Sequence, residues 1–221
     1  MNESPPDLSA RRPLKSRSAG WAGGLARLLL KTGWKPNQVS VCSVVFASVA
    51  MAALLCPAPG VVTWVVAALA IQLRLLCNLM DGMLAVEGGL KSPDGDLFNE
   101  FPDRLADLGI LAALGHAGGG PLPILLGWLA ACGALITASV RLHGASLLGI
   151  HDFRGPMAKP QRMALATGIC LIMAVLAVIR REEAAVVTWG LGVMVAGIAV
   201  TLLRRLTRLS RTLHERASSP P

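Results

Sequence analysis

The chain has 221 residues, 53% of them hydrophobic and 15% charged, with a mean hydropathy of +0.57. That is more apolar side chain than a water-facing surface tolerates. The net charge of +8 raises nucleic acid as a partner, but the basic residues are not interleaved with aromatics, and four Phe with no Tyr make poor stacking platforms. Nucleic acid is therefore excluded as the expected partner, and the lipid bilayer takes its place.

The first apolar run arrives late and is followed by Lys31 and Lys35 instead of a small-residue cleavage site, so the N-terminal arm does not read as a signal peptide. Residues 19–33 predict a short interfacial helix, because Trp21, Leu25, Leu28 and Leu29 recur at helical spacing while Arg27 and Lys31 fall elsewhere on its surface. Six apolar runs follow, at 38–57, 61–87, 96–116, 121–142, 160–180 and 184–204. Each is near the roughly 20 residues that cross a hydrocarbon core of about 30 Å. The expected fold is all-α: a polytopic bundle of six transmembrane helices behind a short interfacial helix. The expected parts are an N-terminal arm at 1–37, one membrane domain at 38–207 and a basic tail at 208–221.

Charge sets the expected orientation. Arg11, Arg12, Lys15, Arg17, Arg27, Lys31 and Lys35 precede the first run, Lys91 lies between the second and third, and Arg154, Lys159 and Arg162 lie between the fourth and fifth. Arg204, Arg205, Arg208, Arg211 and Arg216 close the chain. The opposite turns at 56–60 and 116–121 carry no Lys or Arg, and Arg180 and Arg181 in the last are offset by Glu182 and Glu183. The positive-inside rule then puts both termini in the cytoplasm, and a bacterial inner membrane is the expected location. Cys42, Cys56, Cys77, Cys132 and Cys170 show no C-x-x-C spacing and read as packing residues. His143, His151 and Asp152 are too loosely spaced for a metal motif and read as surface loop.

Ionisable groups are costly in hydrocarbon, so carboxylates within apolar runs point to function. Seven of the thirteen acids fall between residues 81 and 107. Arg74, Asn78, Asp81 and Ala85 share one face of the second span, and Asn99, Asp103 and Asp107 repeat every four residues on the third. A turn with Gly88, Gly89, Ser92, Pro93 and Gly95 makes these helices antiparallel neighbours, so two polar stripes face one another. Opposed carboxylates repel unless a cation sits among them, and oxygen donors favour Mg2+ or Mn2+. Such ions suit a diphosphate. Gly82, which lacks a Cβ beside Asp81, allows close approach of a helix or a substrate.

Asn78 to Asp107 resembles the CDP-alcohol phosphatidyltransferase signature, D-x2-D-G-x2-A-R-x8-G-x3-D-x3-D. Asp81-Gly82, Ala85, Gly95 and Asp103 fall at matching spacings, while Asn78, Val86 and Asn99 replace an Asp, the Arg and another Asp. Lys35-Pro36-Asn37-Gln38-Val39-Ser40 is similar to the stretch with which members enter their first span. The resemblance implies a six-helix enzyme that joins a CDP-linked lipid donor to an alcohol acceptor and releases CMP. It also implies that four acidic positions hold two divalent ions, the last being the catalytic base, which maps to Asp103. The implied metal set is Asn78, Asp81, Asn99 and Asp103, with Glu100 and Asp107 placed to compensate for the two amides. Gly82, Ala85 and Gly95 belong to the substrate-binding motif. Family members bind the diphosphate and headgroup with basic residues after the fourth span, which here are Arg141, Arg154, Lys159 and Arg162. Arg74 is either a further phosphate contact or a structural partner for Asp81. Two copies pairing through their membrane faces is compatible with such a bundle.

Two other readings compete. Asn99-Glu100-x-x-Asp103-x-x-x-Asp107 resembles the first Asp-rich motif of UbiA-type intramembrane prenyltransferases, but a second D-x-x-x-D segment is missing from the chain. The other is non-catalytic: a degenerate, divalent-cation-binding homologue whose Asn78 and Asn99 mark lost activity, or a cation carrier, which would also use facing acid stripes but would need polar residues across the full thickness.

Overall fold

The computed structural model describes residues 20–90, 95–179 and 184–218; the side chains of residues 87, 95–99 and 184 fall outside that description. Among the described residues every regular element is a helix. The first, α1 (Gly20–Lys31), buries Ala22 and Ala26, with Leu25, Leu29 and Leu30 beside them, against Leu79, Met80, Met83 and Leu84. Trp21 and Leu28 point away from the protein, each 57% exposed, as amphipathic spacing requires of an element lying in the headgroup region.

Pro36 opens α2 (Pro36–Leu54), where its missing N–H would have lacked an intrahelical partner in any case, and the Gln38 side-chain oxygen accepts the Lys35 N–H at 2.9 Å. The Pro-Asn-Gln stretch is thus the first turn of the helix and not a leader to it. There follow α3 (Val61–Glu87), α4 (Gly95–Ala117), α5 (Pro121–Leu148), α6 (Lys159–Val178) and α7 (Ala184–Ser218). α5 runs past the expected end at 142 until Gly149, at φ 69, caps it in the left-handed conformation that favours glycine. His143, expected in a loop, is therefore helical, with Nδ1 2.9 Å from the Ser139 carbonyl. α7 passes without a break through 207/208, so the described part of the basic tail is a continuation of the last helix.

Five of these helices, all but α1 and α4, are long and apolar enough to cross a membrane. α4 has the length at 23 residues, but Glu100, Asp103, Arg104 and Asp107 lower its hydropathy. Its neighbours compensate: α4 packs on α2 and α5, while α3 packs on α2 and α6, and α7 closes the bundle against α5 and α6. Trp64 and Ile71 of α3, Ile110, Leu111 and Leu114 of α4, Met163 of α6 and Leu191 of α7 are fully buried in one apolar core. Val62, Leu125, Leu171, Val175 and Trp189 lie exposed on the outside, where lipid tails would cover them. The five cysteines are all free; Cys170 is buried as a packing residue would be, whereas Cys132 is exposed.

Small residues let α4 and α5 approach closely. A Cβ on Gly115 would stand 2.6 Å from the Pro123 carbonyl oxygen, and one on Gly127 would stand 2.7 Å from the Gly115 Cα. Because backbone cannot yield as a flexible side chain does, Gly115→Val should destabilise the bundle by about 1–3 kcal/mol through overpacking. The control Gly192→Ala, where nothing lies within 4 Å, should not lower the melting temperature in detergent. An unaltered melting temperature for Gly115→Val would refute the close crossing.

Candidate active site

The two polar stripes meet as their spacing predicts, but cations join them. Arg74 on α3 is completely buried. Its Nη2 lies 2.5 Å from Asp103 Oδ1, 2.9 Å from the Asp103 carbonyl oxygen and 2.8 Å from Asp107 Oδ1. Nη1 lies 3.6 Å from the Met163 sulfur. Arg74 is therefore a partner for Asp103 and Asp107, not for Asp81. Asn78 donates its amide N–H to the same Asp103 oxygen at 2.6 Å, and Lys159, the first residue of α6, binds the other Asp103 oxygen. One turn further, Arg162 Nη2 reaches Asp107 Oδ2 at 3.2 Å and Nη1 donates to the Met157 carbonyl at 3.1 Å. Asp81 is only 2% exposed. One of its oxygens accepts the Ser40 hydroxyl at 2.9 Å, and the other, Oδ1, has no hydrogen-bond partner among the described residues. The Asp103 side chain is 20% exposed, against 8% for Asp107, which makes Asp103 the accessible acid of the pair.

A second group sits beside the first. Both oxygens of Glu100 accept from Arg141 Nη2, at 2.7 and 2.6 Å, and Arg104 adds a bond at 3.0 Å from one turn along α4. Glu100, expected as a compensating metal ligand, is thus held by two guanidinium groups. The Arg141 guanidinium lies 5.2 Å from the centre of the Phe153 ring, and His151 stacks on that ring at 6.0 Å. In the loop before α6, burial works against ionisation of Asp152. Bonds from the Arg154 backbone, the Arg154 guanidinium and Arg208 outweigh it and hold this carboxyl below its usual range.

The expected residues therefore divide. Arg74, Asn78, Asp103, Asp107, Lys159 and Arg162 share one continuous cluster; Asp81, bonded to Ser40, lies beside it one turn beyond Asn78 on α3, with Gly82 and Ala85 on the same helix. Arg141 joins the adjacent Glu100 group, and Gly95 starts α4. Arg154 is not drawn in: its side chain is 72% exposed and turns to Asp152. Asn99 is helical, and its side chain lies outside the described residues. The chemistry missed by the sequence reading lies in Ser40, Arg104, Thr137 and Arg205. Arg205 donates to the Thr137 and Arg154 carbonyl oxygens at 2.9 and 3.0 Å and so ties α7 to α5 and to the loop. The only signal for Ser40 was its place in the stretch that opens the first span. The described residues form no group of three or more His, Cys, Asp or Glu that could hold a metal by themselves.

The sequence profile of a family described as CDP-alcohol phosphatidyltransferase matches residues 34–203. Two solved structures are similar to this one, both of the Mycobacterium tuberculosis phosphatidylinositol phosphate synthase PgsA1. One has CDP-DAG bound: it is 18% identical, with 86% of this chain and 94% of that chain covered at a TM-score of 0.68. The other is in complex with manganese and citrate: it is 17% identical, with 85% and 88% covered at a TM-score of 0.67. At these identities the likeness establishes the fold. No curated protein matches the sequence significantly.

Removing one partner of a buried ion pair leaves an uncompensated charge. Arg74→Met should therefore destabilise the protein by about 3–5 kcal/mol, and Arg74→Met with Asp107→Leu should recover part of that loss. Thermal unfolding of the two single variants and the double variant in one detergent measures the coupling, and strict additivity would mean the pair does not interact. For Asp152 the sign follows from its lowered folded-state value: the contribution is complete above the ordinary carboxylate range and lost as pH falls through the folded value. Proteolysis of the 149–158 loop should accordingly rise in acid, and Asp152→Asn should raise it already at neutral pH. Equal protection at both pH values would contradict this.

Proposed function

Because the chain belongs to the CDP-alcohol phosphatidyltransferase family, we propose that the cluster joining α3, α4 and α6 is where an alcohol displaces CMP from a CDP-linked lipid. The observation that carries this reading is Asp103: half-buried, shared by Arg74, Asn78 and Lys159, and aligned with the last acid of the signature. Asp103 takes the proton of the acceptor hydroxyl, the resulting oxygen attacks the lipid-side phosphorus, and the bond from that phosphorus to the CMP oxygen breaks. Lys159, at the N-terminus of α6, and Arg74 stand beside the transferring group and offset its negative charge. Arg141 and Arg162, on the flanks, orient the diphosphate and headgroup.

Of the two buried carboxylate oxygens here that lack a hydrogen bond, Asp107 Oδ1 already faces the Arg74 guanidinium at 2.8 Å, so the place that suits a divalent ion is Oδ1 of buried Asp81. Asp81 would hold Mg2+ or Mn2+ there, with Asn78 as a neighbour on the same helix face, and the bound ion would neutralise diphosphate oxygens and the departing CMP. Ser40 fixes the other Asp81 oxygen, so the free one keeps a defined direction. The manganese complex of the structural neighbour PgsA1 supports this choice of metal.

The same reading covers location. The chain is an integral membrane protein, and the Lys and Arg distribution supports cytoplasmic termini in a bacterial inner membrane. The site is then at the cytoplasmic end, within reach of a lipid diphosphate. The apolar core formed by Trp64, Ile110, Leu111 and Leu114 fills the bundle beyond the acids, which argues against a cation path through it. Glu100, part of the motif shared with UbiA-type prenyltransferases, is engaged by Arg141 and Arg104.

Purified protein with Mg2+ or Mn2+ should release CMP from CDP-diacylglycerol when the correct alcohol is added, and chelation should stop the release. Asp103→Asn should lower the rate about 10²–10⁴-fold, the usual worth of a general base. Absence of acceptor-dependent release across a panel of alcohols, from protein that remains folded, would sink the proposal.

A further inference from the structure

Counted together with neighbouring Asp81, the cluster is already charge-balanced by its own side chains. Asp81, Asp103 and Asp107 supply three negative charges; Arg74, Lys159 and Arg162 supply three positive ones. The carboxylate oxygens are also occupied. Arg74 and Asn78 take one oxygen of Asp103 and Lys159 takes the other, while Arg74 and Arg162 divide those of Asp107. Glu100 gives both of its oxygens to Arg141 and Arg104. Among the described carboxylates of α3 and α4, Asp81 Oδ1 and Asp107 Oδ1 are buried without a hydrogen bond; the Arg74 guanidinium stands 2.8 Å from the second, whereas no ion pair reaches the first among the described residues.

The two amides work in the same direction. Asn78 uses its N–H as a donor to Asp103, so it acts here as one more partner for that carboxylate and not as a negative ligand. Asn99 brings no charge whatever its contacts. The cluster lacks the negative charge that four unpaired carboxylates would bring, and two divalent ions placed among the present residues would leave it strongly cationic.

We infer that this chain holds one divalent cation, on Asp81, and that Lys159 and Arg74 stand on Asp103 in place of a second. The inference rests on the transferase reading for its purpose, but concerns a stoichiometry that can be measured without turnover. One divalent ion adds two positive charges to a neutral cluster, which a diphosphate can offset, so metal and donor suit one another as a pair. Ser40 is the positioning residue: its hydroxyl holds Asp81 Oδ2 and leaves Oδ1 as the ligand.

The test is titration of the full-length protein in detergent with Mn2+, reading free Mn2+ by electron paramagnetic resonance. The expected result is one Mn2+ per chain, none in Asp81→Asn, and one retained in Asp103→Asn. Ser40→Ala should weaken affinity about five-fold, the usual size of one lost hydrogen bond, and Ser40→Thr should restore it. Replacing Asn78 and Asn99 with Asp and Lys159 with Gln should raise the count to two. Two ions on the wild type, none on it, binding that survives Asp81→Asn, or a triple variant that folds and still binds one would each overturn the assignment. CMP release, assayed on the same samples, separates the two proposals: one bound ion without release refutes the transferase reading alone, and release with two bound ions refutes only the single-ion site.

Discussion

The buried guanidinium of Arg74 is the interaction on which the rest of the bundle's polar interior depends. It sits fully out of water on α3 and meets Asp103 and Asp107 on α4, two acids that could not otherwise share an apolar interior. A lone charge there is very costly, whereas a paired and hydrogen-bonded one can be carried. α4 can therefore be part of the bundle while bearing more charge than a helix of membrane-spanning hydropathy accepts. Lys159 and Arg162 extend the same solution from α6, so that three helices are held in register by ionic contacts near one end and by apolar packing beyond it.

This division of labour has a chemical use. The apolar half, with Trp64, Ile110 and Leu114 fully buried, is close-packed, and the polar half is anchored to it. Asp103 is the exception, partly open and bound by cations on both oxygens. A group held in that way has a fixed position before substrate arrives, which is what the role of base proposed for Asp103 requires. The CDP-alcohol phosphatidyltransferase family is thus represented here by a member in which amides stand at two of the signature's acid positions.

Much of this could be read from the sequence because the signals are local. Run length gave the helices, i and i+4 spacing put Arg74, Asn78 and Asp81 on one face, and the turn after Glu87 brought that face to Asp103. Pairings were harder, since spacing says which residues share a face but not which guanidinium crosses to which acid. Arg74 was placed with Asp81 as an option, yet the long side chain reaches the next helix. Ser40 left almost no trace because a hydroxyl in an apolar span is common. The length of α7 was underestimated for another reason: hydropathy stops at the bilayer, but the helix does not.

That last helix spans 35 residues, about 50 Å at ~1.5 Å per residue, against a hydrocarbon thickness of about 30 Å. Its surplus is fastened on the way down, by Arg205 to the Thr137 and Arg154 carbonyl oxygens and by Arg216 to that of Leu148. The helix acts as a splint laid across the end of α5 and the loop that leads into α6. Its arginines would meet the lipid phosphates at one depth only, so the splint also acts as a depth gauge. The height of Lys159 relative to the membrane surface is then set by a helix that contributes nothing to the acid cluster itself, and a bilayer of different thickness would move the cluster and the diphosphate of its lipid out of step.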